Sequence, residues 1–397
     1  MKSNHFWFLR IAFWLIGILV FLLLFVYPLI SSWLVGSGRM PMGVTRYFWV
    51  IESAQTYLMG FLALLWIFFL GSCFASFLNV VAWRVPRGRS INGSSHCPDC
   101  NQKLRFRDNT PIVGWIRNGG QCSNCQLPIP VRYLVVEFVL GTIFLAFGIV
   151  QLILGGINLP LRTIEKLNGF KHLTIDPELI QLTLYHLILI CVLFTFVLIR
   201  SENLKLPNSV WITGLVFGIF VPLIWPAATL IGWTWSKEPF NAGRFSFDQF
   251  ATLGMGLLAG VVLGKIANGF GRRFVPEHPY VFQPTFVSES IASLSLIGLF
   301  LGWQSTLSIG VGAMCISILL RIIQPHAHWS SWSTSVFLAT LTHMLSWRWL
   351  TECGYWPSAT ADVAVHLIAF LAFIILAWTK SQLEQSRTPG PATTISA

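Results

Sequence analysis

The chain has 397 residues, of which 54% are apolar and only 10% charged, with 18 Trp, 32 Phe and a net charge of +11. A soluble domain carries roughly a quarter charged residues, so this composition excludes a globule facing water on all sides and points to a membrane protein. The positive charge gives no support to a nucleic-acid-binding reading, because no basic cluster is interleaved with aromatics outside the membrane-facing loops.

Crossing the hydrocarbon takes about 20 residues of helix. In chain order, apolar segments of suitable length begin near Ile11, Tyr57, Tyr133, Leu179, Pro207, Asp248, Ser288, Leu307, Trp332 and Asp362. The predicted fold is therefore an all-α polytopic membrane protein with about 8–10 transmembrane helices and one small polar module. The first span runs from Ile11 to Ile30, longer than the apolar part of a signal peptide, and reads as a retained helix. The Ser288 and Leu307 spans have almost nothing between them and read as a tight helical hairpin. The expected domains are an extra N-terminal membrane helix (1–50), a domain over 57–155 containing the polar loop 84–132, a membrane domain over 179–380, and a disordered tail over 381–397.

Loop 84–132 holds Arg84, Arg87, Arg89, Lys103, Arg105, Arg107, Arg117 and Arg132 against Asp99 and Asp108. By the positive-inside rule it is cytoplasmic, and counting spans outward places Arg200, Lys205, Arg272, Arg273, Arg321 and the Lys380 tail on the same side. Within it lie Cys97-Pro98-Asp99-Cys100 and Cys122-Ser123-Asn124-Cys125. Two Cys-x-x-Cys pairs at this separation can deliver four thiolates to one tetrahedral zinc ion, and a reducing compartment favours metal over disulfides. Four protein ligands leave no open position, so the expected role is structural. Asp108, Asn109, Pro111 and Trp115 read as turn and packing residues of this module, and Cys73, Cys191, Cys315 and Cys353 as small buried hydrophobes.

The stretch from Gly71 through Ser76-Phe77-Leu78-Asn79-Val80 to Trp83-Arg84-Val85-Pro86 resembles the N-terminal motif of the prepilin leader peptidases. The likeness continues through Cys97-Pro98-x-Cys100, Asp108-Asn109-x-Pro111, Trp115, Cys122-x-x-Cys125, Pro128-Ile129 and Arg132-Tyr133 to Glu137. That resemblance implies a multi-pass inner-membrane aspartic peptidase of type IV pilus and type II secretion systems. Such an enzyme cleaves prepilins after a short basic leader and in many members N-methylates the new terminus with S-adenosylmethionine. It uses two aspartates: one ionised carboxylate takes a proton from water while its protonated neighbour polarises the carbonyl.

The first aspartate motif of the family is similar to Arg200-Ser201-Glu202-Asn203-Leu204-Lys205-Leu206-Pro207-Asn208, which puts Arg200 at the catalytic position. The second is matched by Ser288-Glu289-Ser290-Ile291-Ala292, ahead of Leu301-Gly302-Trp303-Gln304, which puts Ser290 at the catalytic position and Ala292 at that of a lysine. Asp248 resembles a non-catalytic family aspartate. Two readings follow. In the first, the chain is catalytically degenerate and binds or assembles pilin-like or type II secretion substrates through prepilin or pseudopilin N-terminal segments. In the second, it remains a peptidase, with or without N-methyltransferase activity, using Glu202 and Glu289. Each of these is displaced by one or two residues, and one residue rotates a helical side chain by about 100°. Glu137 reads as a carboxylate tied to Arg132 or to the cysteine module, with a contribution to an active-site vestibule as the alternative. His326, His328, His343 and His366 read as separate interfacial histidines rather than a metal cluster.

Overall fold

The computed structural model describes residues 18, 22, 26, 46–97, 99–162, 176–234, 246–269, 287–323 and 331–385. The N-terminal helix expected over 1–50 lies almost wholly outside these residues, as do His326, His328, Arg272, Arg273 and the tail beyond 385. Among the described residues there are nine α-helices: α1 (Arg46–Arg84), α2 (Val113–Arg117), α3 (Arg132–Phe147), α4 (Pro177–Ser201), α5 (Asn208–Ile224), α6 (Phe247–Gly269), α7 (Glu289–Ile323), α8 (Trp332–Glu352) and α9 (Val363–Gln385). Six stretches are long and apolar enough to cross a membrane: Leu58–Arg87, Arg132–Ile153, Pro177–Ser201, Phe247–Gly269, Glu289–Ile323 and Val363–Leu383. The chain is an all-α, multi-pass membrane protein. α5 is apolar but shorter, and α8 has the length of a span with a more polar sequence.

The chain divides into two compact units. In the first, α1 and α3 run antiparallel. Ser76 hydrogen-bonds Glu137 near one end, and the pair closes on glycines. A Cβ on Gly141 would stand 2.5 Å from Ser72 Oγ, and one on Gly71 would stand 2.7 Å from Phe144. Contacts this close require residues without side chains, the usual device where two apolar helices must meet without a hydrophobic driving force. The polar loop joins the two helices.

The second unit is a helical bundle organised around α7. That helix is two arms: Gly302 has φ 85° and ψ 164°, outside any helix and in a region that favours glycine. There the chain doubles back. A Cβ on Gly298 would stand 3.1 Å from Thr306 Oγ1, whereas eight residues of straight helix would separate them by about 12 Å. The hairpin expected from the Ser288 and Leu307 spans is this pair of arms. α6 packs antiparallel against the first arm through Gly256, Gly260 and Gly264, one turn apart on one face. A Cβ on Gly260 would meet Leu294 O at 2.1 Å, and one on Gly256 would meet Gly298 O at 1.9 Å. Tyr185 of α4 stacks on Phe300 with ring centroids 4.3 Å apart and donates to Gly218 O of α5 at 3.1 Å. Arg348 of α8 anchors the segment before α4, donating from Nε to Ile157 O and from Nη2 to Arg162 O, both at 2.8 Å.

The single cysteines depart from their expected burial. Cys315 is exposed, and Cys73, Cys191 and Cys353 are intermediate. The surface of a span faces lipid, so an apolar thiol there is as well placed outward as inward.

Candidate functional site: a four-sulfur cluster and a paired helix junction

The loop module is built from two copies of one turn. In the first, Cys97 N donates to Gln102 O and Asn101 N donates back to Cys97 O, both at 3.0 Å. In the second, Cys122 N donates to Leu127 O at 2.9 Å and Gln126 N to Cys122 O at 3.0 Å. Asn101 and Gln126, at equivalent places, both turn the chain at positive φ (54° and 61°). Each copy is closed by an isolated antiparallel bridge, His96 to Lys103 and Gln121 to Pro128. The local sequence that folds this way is Cys-x-x-Cys followed by a residue able to adopt the left-handed conformation.

The two turns bring Cys97, Cys100, Cys122 and Cys125 together, with all four sulfurs within 4.8 Å of one another. Cys97 Sγ lies 3.8 Å from Cys125 Sγ, and Cys100 Sγ lies 4.0 Å from Cys122 Sγ. A tetrahedral ion with metal–sulfur bonds of about 2.3 Å requires sulfurs about 3.8 Å apart. The separations fit that geometry, and they are far longer than an S–S bond of about 2.05 Å. The cluster's thiols are held unequally. The backbone at Gln102 and then the Asn124 side chain pull the Cys100 thiol down to about 7. Cys125 is pushed up to about 12: the backbone at Leu127 favours its thiolate, but desolvation and the three other sulfurs outweigh it. Four thiolates at these separations would repel one another, and a metal ion held between them would supply the neutralising charge.

The module is braced around Asp108 and Trp115. Asp108 Oδ1 accepts from Asn118 Nδ2 at 2.9 Å and Oδ2 accepts from Ser123 Oγ at 3.0 Å. Those hydrogen bonds, with Arg117 and Arg105 nearby, hold its carboxyl below the usual range. Trp115 is buried, donates from Nε1 to Ile129 O at 3.2 Å, and lies against Gly120, where a Cβ would meet its ring at 2.7 Å. Glu137 of α3 reaches into the loop: its Oε2 accepts from Ile112 N at 2.7 Å, capping the short α2. The carboxylate is thus tied to the cysteine module.

The second unit contains the residues matched to the two aspartate motifs. Arg200 ends α4 and Glu289 begins α7. Arg200 Nε stands 3.2 Å from Glu289 Oε2, close enough for an ion pair though off the line of a hydrogen bond. Arg200 also donates from Nη1 to Leu204 O at 2.8 Å, bracing the turn that leads to Pro207. The other oxygen of Glu289 accepts from Ser333 N at 2.9 Å and Ser333 Oγ at 2.6 Å, at the start of α8. Three helix termini therefore meet on one carboxylate. Glu202 goes elsewhere, to Arg87 at 3.8 Å with both side chains 30% exposed. Ser290 is buried behind Glu289, its carbonyl 2.8 Å from the place of a Cβ on Gly264. Asp248 begins α6, accepts from Trp233 Nε1 at 3.1 Å, and lies sixteen residues from Gly264, about 24 Å along the helix.

His343 is buried with Ser308, whose Oγ is 2.9 Å from Nδ1 and also accepts from Trp356 Nε1. Among the described residues the four cysteines are the group suited to a metal. Two features gave weaker signals in the sequence. The Arg200–Glu289 pairing links residues 89 positions apart and has no periodic signature. The Gly256/Gly260/Gly264 stripe, by contrast, is readable as a repeated small-xxx-small pattern.

A family model for the bacterial peptidase A24 N-terminal domain matches residues 69–150. A prepilin leader peptidase/N-methyltransferase of Myxococcus xanthus is 43% identical over 81 residues, covering 20% of this chain and 24% of the relative. A type 4 prepilin-like proteins leader peptide-processing enzyme of Escherichia coli is 35% identical over 99 residues, with 20% and 37% covered. A prepilin leader peptidase/N-methyltransferase of Klebsiella pneumoniae is 35% identical over 89 residues, with 21% and 39% covered. The chain thus spans between a quarter and two-fifths of the length of these curated relatives. No solved structure matches it. The matched segment takes in the end of α1, the double Cys-x-x-Cys module and the start of α3 with Glu137, and over it the chain is similar to the N-terminal domain of the bacterial A24 peptidases.

Proposed function

We propose that this chain is a prepilin-peptidase-like inner-membrane protein that has given up peptide cleavage and binds pilin-like N-terminal segments instead. The observation that carries this reading is the Arg200–Glu289 ion pair at the junction of α4 and α7. Aspartic chemistry needs two carboxyl groups sharing a proton around one water. A guanidinium remains protonated at every accessible pH and cannot take a proton from water. The neighbouring carboxylate is paired with that guanidinium and not with a second carboxyl group, so the two-carboxyl arrangement is not assembled at this junction. Glu289 is further occupied by two donors from Ser333, and Glu202 faces Arg87. What persists is a helical bundle and the polar loop, which suit binding in type IV pilus or type II secretion assembly.

The loop is assigned to the cytoplasmic face, with the C-terminus on the same side. Its four thiolates would hold a zinc ion by Cys97, Cys100, Cys122 and Cys125. Zinc there supplies cross-linking of the two turns and no reactive position.

The test is a cleavage assay with the purified full-length chain in detergent, a panel of prepilins, and an intact family member as control. The expected result is no cleavage, unchanged by Glu202→Gln or Glu289→Gln, with retention of prepilin N-terminal peptides on the immobilised protein. Cleavage that either substitution abolishes would overturn the reading and establish Glu202 and Glu289 as a relocated pair.

A further inference from the structure

One turn of the loop module turns its side chains outward, with Arg105 also adding charge near Asp108. Phe106 is 89% exposed, and Lys103, Arg105 and Arg107 around it are exposed too. The backbone beneath them is firmly bonded. Asp108 N donates to Arg105 O at 2.9 Å, Asn109 N to Arg105 O at 3.1 Å, and Thr110 Oγ1 to Phe106 O at 3.0 Å. Asp108 turns inward to Asn118 and Ser123. The acid of this stretch is thereby internal while three cations and one aromatic ring point outward.

An exposed phenylalanine on a hydrogen-bonded turn leaves a large apolar side chain in water, and its burial elsewhere is favourable. The topology supplies the surface. The loop leaves α1 at Arg84 and enters α3 at Arg132, and these antiparallel helices lie in two of the apolar spans. Both ends of the loop are therefore fixed to one face of the bilayer. A single protruding ring flanked by cations offers little shape by which to select a peptide. It suits a headgroup layer, which takes an aromatic ring at its apolar boundary and offers phosphates to flanking cations. Arginine matches phosphate with paired donors, and each cation adds attraction to an anionic leaflet.

We infer that Phe106, flanked by Arg105 and Arg107, seats in the anionic phospholipid headgroup layer of the membrane that carries the chain and holds the cysteine module against it. This docking is independent of whether the chain cuts or binds a prepilin.

The test places the photo-crosslinking analogue p-benzoylphenylalanine at position 106 of the full-length protein. The protein is assembled into nanodiscs of phosphatidylcholine alone or with one-third phosphatidylglycerol, and adducts are identified by mass spectrometry. The expected result is lipid adducts in the anionic discs, reduced in neutral discs and in Arg105→Gln/Arg107→Gln, by about fivefold per arginine. Adducts confined to protein segments would overturn the proposal, placing residue 106 against protein and not lipid. Absence of adducts, or equal lipid yield in both disc types and in the double variant, would overturn it as well. Thermal unfolding of each variant controls for folding, and exposed positions such as these are expected to leave it unchanged.

Discussion

Asp108 joins the second knuckle, through Ser123, to the segment after α2, through Asn118. Its carboxyl is held below the usual range, so its stabilising effect is complete above the ordinary carboxylate value of about 4 and is lost as pH falls through the lowered native value. At pH 7.5 Asp108→Asn should therefore show the full loss, about 1–2 kcal/mol of module stability, read as faster labelling of the loop thiols by maleimide. The Arg200–Glu289 pair is partly exposed, at 30% and 21%, and solvent screening limits its worth. A double-mutant cycle with Arg200→Ala and Glu289→Ala should give a coupling of about 1 kcal/mol in detergent unfolding. A coupling indistinguishable from zero would mean that Ser333 alone secures Glu289. The sequence located both residues at helix ends and matched their motifs, yet it could not show that they meet. Charge pairing across 89 positions depends on the tertiary path of α5 and α6.

At the level of elements, helix packing in this chain depends on missing side chains more than on large ones. Gly260 has the carbonyl of Leu294 2.1 Å from the position of its absent Cβ. Gly260→Ala should cost at least about 2 kcal/mol and lower the unfolding temperature, because neither backbone can retreat without separating α6 from α7. Gly254→Ala on the same helix meets open space and should be close to neutral, which makes it the control. Span positions were legible because an apolar run of span length has few other interpretations in so uncharged a chain. The reversal at Gly302 was legible as well, since Glu289–Ile323, at 35 residues, is too long for a single crossing. The lipid-facing placement of Cys315 was not, because composition alone does not distinguish the lipid side of a span from its packed side.

For the whole molecule, the cysteine module and the helices answer to different forces, so they should respond separately to metal removal. Chelation in detergent should make four further thiols reactive while the far-UV dichroism changes little, because the loop's helical content is short: the five-residue α2 and a three-residue 3-10 turn at Val85–Arg87. Lowering the pH should release the ion too, since each thiolate that regains a proton weakens retention by about tenfold per pH unit. Elemental analysis across a pH series checks this, and a site without metal at pH 8 would remove zinc from the description. The module was the most legible part of the chain because its ligands lie close together along the sequence in two identical spacings.

The order of the loop's parts along the chain has a consequence for biosynthesis. Cys97, Cys100, Cys122 and Cys125 all leave the ribosome before α3, as do the turns that aim them and the Asp108 brace. The knuckle pair can therefore close while α1 is the latest helix in the bilayer. The bond from Ile112 N to Glu137 waits for α3. The nascent loop thus arrives at the insertion of α3 already shortened into a compact body, and Glu137 is the latch that joins it to that incoming helix.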